Sequence, residues 1–131
     1  TFYKNHDAEC LDKFIYTGTK IFRDKVVADL GCGGGSFADY IHTVAKKVLA
    51  VEPCAAFHSE MKKKGLEVFS YAADMLNLYR NNIDVIVSFD VIEHVDVPRQ
   101  FLQEIFDLLK PGGLCLYRDA DRCARYAGAV R

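Results

Sequence analysis

A chain of 131 residues is one domain by length and is long enough to bury about two-thirds of its unfolded surface, so a sizeable core needs no staple. Half of its residues are hydrophobic and 27% are charged, the balance of an ordinary soluble globular protein. Seventeen basic against eighteen acidic side chains leave a net charge of −1, which excludes a global field that would draw nucleic acid or an anionic membrane and leaves only a local basic patch open. The five cysteines are odd in number, widely spaced and without a Cys-x-x-Cys, so they spell neither a disulfide framework nor a zinc site and fit a reducing, cytoplasmic setting. No apolar run approaches the roughly 18 residues of a membrane span, and the first residues lack the order of a signal peptide. The absent initiator Met and the abrupt end at Arg131 read as a trimmed chain.

In chain order, Leu11, Phe14 and Ile15 fall at helical spacing, and Ile21 and Phe22 follow a break at Gly18. Residues 7–23 therefore predict a helix and a short second turn. Val26-Val27-Ala28-Asp29-Leu30 reads as a buried parallel strand feeding Gly31-Cys32-Gly33-Gly34-Gly35, four glycines in five positions. Such a loop lets a ligand approach where a Cβ would collide, so a nucleotide-like ligand is the first expectation. Ser36 is placed to cap a helix running to about Lys47, with Phe37, Tyr40, Ile41 and Val44 on its inner face. Because the loop also reads Gly31-x-Gly33-x-x-Ser36, near a dinucleotide fingerprint, an NAD-binding oxidoreductase stays open at this point.

Val48-Leu49-Ala50-Val51-Glu52 is a second apolar strand, ending in an acid 23 residues past Asp29. In doubly wound folds an acid at about 20 residues' spacing accepts hydrogen bonds from ribose hydroxyls, which makes Glu52 the ribose candidate. Ala55 to Lys64 predicts a helix whose Lys62-Lys63-Lys64 end is a solvated cap before Gly65. Glu67 to Tyr71 is a third strand, followed by a turn at Ala72-Ala73-Asp74-Met75, and Asn81-Asn82 marks another turn. Ile83 to Phe89 is apolar enough for a central fourth strand. Pro98 then opens a helix with Phe101, Leu102, Ile105, Phe106, Leu108 and Leu109 as a wide apolar stripe. Lys110-Pro111-Gly112-Gly113 stops it, and Leu114 to Tyr117 returns as a fifth strand. Right-handed crossovers applied to this order predict an α/β doubly wound parallel sheet, strand order 3-2-1-4-5, within a single domain whose core is residues 24–118.

Asp29-x-Gly31-x-Gly33-x-Gly35, Phe89-Asp90-Val91-Ile92-Glu93-His94-Val95 and Leu108-Leu109-Lys110-Pro111-Gly112-Gly113-Leu114 together resemble the class I S-adenosylmethionine (AdoMet) methyltransferases. The likeness covers about residues 24–118 and is greatest to the branch of ubiquinone-biosynthesis O-methyltransferases; the second and third motifs turn the balance away from dehydrogenases. The resemblance implies AdoMet as cofactor, with Asp29, Gly31, Cys32, Gly33, Gly35 and Phe89 in the binding set. It implies Glu52 on the ribose, Pro53 beside the sugar and base, Asp74 at the adenine amino group and the Met75 amide at the ring. It further implies that residues 1–23 form a helical lid from which Tyr3, His6 and Tyr16 can reach a substrate, although a helix covering one sheet edge accounts for them equally. The implied partner is a small-molecule methyl acceptor, methylated at oxygen.

Removing a proton from an acceptor hydroxyl calls for a base, and the site belongs beyond the carboxyl ends of the first and fourth strands, where strand order reverses. His94 is the candidate catalytic residue, against the alternative that it only caps or packs. Relatives with Glu-x-x-Glu-His hold a divalent ion, so Asp90, Glu93 and His94 form an alternative metal site, here with Asp in the first position. The tail 119–131 is polar and alanine-rich, suits at most a short helix, and lacks the helix and two strands with which family members continue. A C-terminally truncated sheet would leave the fifth strand as an open edge for a partner subunit to cover. A non-catalytic AdoMet-binding remnant or interaction subunit is the rival reading.

Overall fold

The computed structural model describes residues 20–119 and 122–129. The expected lid helix, with Tyr3, His6 and Tyr16, lies outside the described residues. The apolar runs become strands β1 (Val26–Leu30), β2 (Lys47–Val51), β3 (Glu67–Phe69), β4 (Ile83–Phe89) and β5 (Leu109–Asp119), and the tail adds β6 (Arg122–Ala129). Between them lie helices α1 (Ser36–Ile41), α2 (His58–Lys63), α3 (Ala72–Tyr79) and α4 (Pro98–Leu108), with short 3-10 turns at Ala55–Phe57 and Ile92–His94. The sheet runs β3-β2-β1-β4-β5-β6. Its first five strands pair in parallel in the expected order 3-2-1-4-5, and order reverses between β1 and β4.

Successive strand residues point to opposite faces, and the strands are apolar on both, so two buried layers form. One holds Val27, Val48, Val85 and Val87 against Phe37, Ile41 and Met61. The other holds Ala28, Leu49 and Ile86 against Met75, Ile105 and Leu108. Phe22, in the turn at residues 20–24, is fully buried and meets Phe37 edge-on, ring centroids 6.1 Å apart. At the amino ends of the strands, Lys47, Glu67 and Tyr79 form a triangle: Lys47 Nζ lies 2.7 Å from both Tyr79 Oη and Glu67 Oε2, and Tyr79 donates to Glu67 at 2.6 Å. Nearby, Asp84 accepts the Val26 amide at 2.9 Å and pairs with Lys110, joining β1, β4 and β5.

Several local expectations are corrected. The helix after the glycine loop ends at Ile41 because Lys47 already pairs with Val26 across the β1–β2 ladder. Ser36 does not cap it: Ser36 is its first residue, and Gly35, at φ 85°, holds the cap position without a side chain. Ala72 to Met75 is the first turn of a helix that the sequence reading lacked. On α4, Ile105 and Leu108 are buried, but Leu102 and Phe106 are about half exposed, so the stripe is wider than the face that the sheet and α3 cover.

The tail supplies a strand after all. β6 pairs antiparallel with β5, from Leu114↔Ala129 to Asp119↔Arg122, so the chain itself covers the β5 edge, in place of the partner subunit expected there. Local propensity favours helix in Ala-rich sequence, but the unpaired backbone of β5 offers a ladder that propensity cannot register. Among the described residues, no helix is long and apolar enough to cross a membrane.

Candidate active site

The β1–α1 turn is built by backbone geometry. Gly31 and Gly33 have φ of 72° and 56°, the left-handed region where a Cβ is penalised. Gly31 also touches the segment after β4 so closely that an added Cβ would lie 2.3 Å from Val91 Cγ2. At Gly33 the opposite holds: an added Cβ would meet nothing within 4 Å, so this face of the loop is open. Gly35 donates its amide to the Cys32 carbonyl at 2.9 Å, closing the turn.

Glu52, one residue past β2, reaches over this loop. Its Oε2 accepts the Gly33 amide at 2.8 Å and its Oε1 accepts the Cys54 amide at 3.0 Å. The carboxylate is thus fixed by two backbone donors, yet each oxygen keeps a lone pair for a further hydroxyl. His58 Nε2 lies 2.6 Å from the Glu52 carbonyl and holds the same turn from below. Asp29 and Cys32 are buried beneath the loop, at 3% and 8% exposure. Burial, then the charges of Asp29 and Glu52, pushes the Cys32 thiol far above its ordinary pKa, so it is no nucleophile.

Beside the loop, over the carboxyl ends of β1 to β4, a cavity of about 490 Å³ opens. Gly31 and Pro53 form its β1–β2 side, Tyr71 and Asp74 its α3 side, and Val91, His94 and Phe101 its far wall. Asp74 accepts the Tyr71 amide at 3.0 Å through Oδ2, which caps α3 and orients the carboxylate. The Met75 side chain is fully buried in the core, so only its backbone is relevant to a ligand. Phe89 packs on Phe37, ring centroids 5.2 Å apart. At Asp90 the chain leaves β4 with φ 60°, a strained turn of the kind found at functional sites.

The structure therefore brings Gly31, Pro53, Asp74 and His94 to one cavity and links Gly33 to Glu52, while Asp29, Cys32 and Phe89 support from beneath. His94 is 77% exposed, with Nε2 3.8 Å from Glu93 Oε1. Among the described residues no three His, Cys, Asp or Glu side chains gather as metal ligands. Sequence reasoning missed Val91, whose contact with Gly31 leaves no local signal.

The family described as methyltransferase domain matches residues 2–129. The chain belongs to the methyltransferase-domain family. Among curated relatives it is 30% identical over 109 residues to the ubiquinone biosynthesis O-methyltransferase of Ruegeria pomeroyi, a match that takes in 78% of this chain and 44% of that protein. It is 33% identical over 110 residues to the enzyme of the same name from Dinoroseobacter shibae, taking in 77% of this chain and 43% of the relative. The chain thus spans less than half the length of these relatives. Among solved structures, an S-adenosylmethionine dependent methyltransferase from Mesorhizobium loti superposes with a TM-score of 0.64 at 22% identity, over 72% of this chain and 46% of that one, a likeness of fold. Membership in this family sets aside the NAD-binding oxidoreductase suggested by the glycine spacing alone.

Proposed function

We propose that this chain binds AdoMet and forms the cofactor-binding core of a methyltransferase acting on a small molecule, at oxygen. The observation that carries the reading is the Glu52 carboxylate, held by the Gly33 and Cys54 amides at the carboxyl end of β2, over the glycine turn. The residues fit the cofactor. Glu52 would accept from the two ribose hydroxyls. Pro53 and Val91 supply apolar wall to the cavity, and Asp74, oriented by the Tyr71 amide, would accept from the adenine amino group beside the Met75 amide. The open face of Gly33 leaves room for the methionyl part, with Gly31 and Gly35 completing the turn and Asp29, Cys32 and Phe89 beneath it.

AdoMet when bound supplies a methyl group on a sulfonium for in-line transfer, so positioning dominates the catalysis asked of the protein. His94, exposed at the cavity wall, would take the proton of an acceptor hydroxyl as general base. The names of the curated relatives support oxygen as the methylated atom. Incubation with labelled AdoMet and a panel of phenols and carboxylic acids tests the reading: transfer to a hydroxyl compound supports it. Tight AdoMet binding without transfer to any acceptor would instead favour the non-catalytic remnant.

A further inference from the structure

We infer that Lys64 is a positioning residue for the cofactor site, locking the glycine turn from behind. It stands just past the end of α2, where the run Lys62-Lys63-Lys64 reads as a solvated cap, but its ammonium turns back across the fold. Lys64 Nζ donates to the Gly34 carbonyl at 3.2 Å and pairs with Asp39 of α1 at 2.9 Å. The side chain is 28% exposed, too enclosed for a free surface lysine. The peptide between Gly34 and Gly35 is thereby held on both sides: Lys64 takes its carbonyl, and the Cys32 carbonyl takes its amide at 2.9 Å.

That double hold matters because glycines resist no peptide rotation by themselves. The same turn carries the Gly33 amide, which donates to Glu52 at 2.8 Å, so loosening the turn at Gly34 loosens the seat of that carboxylate. The neighbours reinforce the brace: Met61 Sδ, on the same helix, lies 3.1 Å from Cys32 Sγ, and Phe57 packs beside Gly34. Lys64 thus acts on the ligand through the turn and then Glu52. This inference rests on the AdoMet reading for its binding arm, but not for its loop arm.

The test compares Lys64→Met, which keeps the aliphatic stem, with Lys63→Met, which removes the same charge from the same helix end without touching the loop. Calorimetry with AdoMet should show Kd raised about tenfold in Lys64→Met, the loss expected for one charge-assisted hydrogen bond, and restored to within about threefold by Lys64→Arg. In the ligand-free protein, hydrogen exchange at the Gly35 amide should accelerate about tenfold in Lys64→Met and stay near the unmodified rate in Lys63→Met. Equal effects of the two methionine variants, or Gly35 exchange unchanged in Lys64→Met, would overturn the assignment. If Lys64→Met does not fold, Lys64→Gln takes its place: it removes the ammonium but keeps a polar side chain, so Gly35 exchange should rise, and an unchanged rate counts against the brace. Failure of the unmodified chain to bind AdoMet would remove the cofactor reading, with the exchange comparison still deciding the role of Lys64.

Discussion

Replacing Gly31 by Ala tests how the loop and the segment after β4 are joined. At φ 72° an alanine incurs the left-handed penalty, about 1–2 kcal/mol. Its Cβ would also lie 2.3 Å from Val91 Cγ2. Ordinary carbon contacts are about 3.5–4.0 Å, so Val91 must swing aside. The clashing atom is the tip of one side chain, and an off-rotamer valine costs about 0.5–1.5 kcal/mol, giving roughly 2–3 kcal/mol in all. Gly33→Ala is the internal control, with φ 56° and nothing within 4 Å of the new Cβ, so only the backbone penalty should appear. Equilibrium urea denaturation of both variants, of Val91→Ala, and of Gly31→Ala combined with Val91→Ala, measures the difference. The double variant should show a favourable coupling of about 0.5–1.5 kcal/mol, because the shortened side chain no longer blocks the Cβ. Gly31→Ala no less stable than Gly33→Ala would refute the packing argument.

Glu52→Ala should weaken AdoMet binding by about 1.5–3 kcal/mol, seen by calorimetry, since it leaves ribose hydroxyls and the Gly33 and Cys54 amides without their acceptor. His94→Ala should lower turnover about 10²- to 10⁴-fold with AdoMet affinity nearly unchanged; loss of folding would give the residue a structural role instead. Ser88 is 2% exposed and its Oγ has no hydrogen-bond partner among the described residues, so Ser88→Ala should raise stability by about 1 kcal/mol in urea titration, and a loss would reveal a partner. Burial opposes ionisation of Asp84, but the Lys110 hydrogen bond, the Val26 amide and the charges of Lys110 and Lys25 outweigh it and hold the carboxyl below the ordinary range. Its stabilisation is therefore full above the unfolded value of about 3.9 and is lost as pH falls through the depressed folded value. Asp84→Asn should accordingly show a shallower loss of stability on acidification below about pH 4, and an unchanged acid limb would contradict the assignment.

The sheet was legible because its evidence is local and doubled. Strands β1, β2 and β4 rest on apolar runs, and Asp29, Glu52 and the four glycines mark where the first two end. What escaped depends on contacts distant in sequence. Nothing near Ala124 or Ala127 announces that β5 has a free edge, and only the assembled sheet makes a strand of that segment. Asp74 read as a ligand group alone because its capping bond to Tyr71 requires α3, whose short apolar face was passed over. Lys64 looked like its two neighbours, and the difference between them is the Gly34 carbonyl, thirty residues away.

Titrating AdoMet and NAD side by side into the purified chain decides the matter in a single calorimetric experiment. Glu52 anchored over an open Gly33, next to an apolar cavity, predicts saturable binding of AdoMet at one site and no measurable heat from NAD. Binding of NAD in preference to AdoMet, or no binding of AdoMet at all, would contradict the reading of this site.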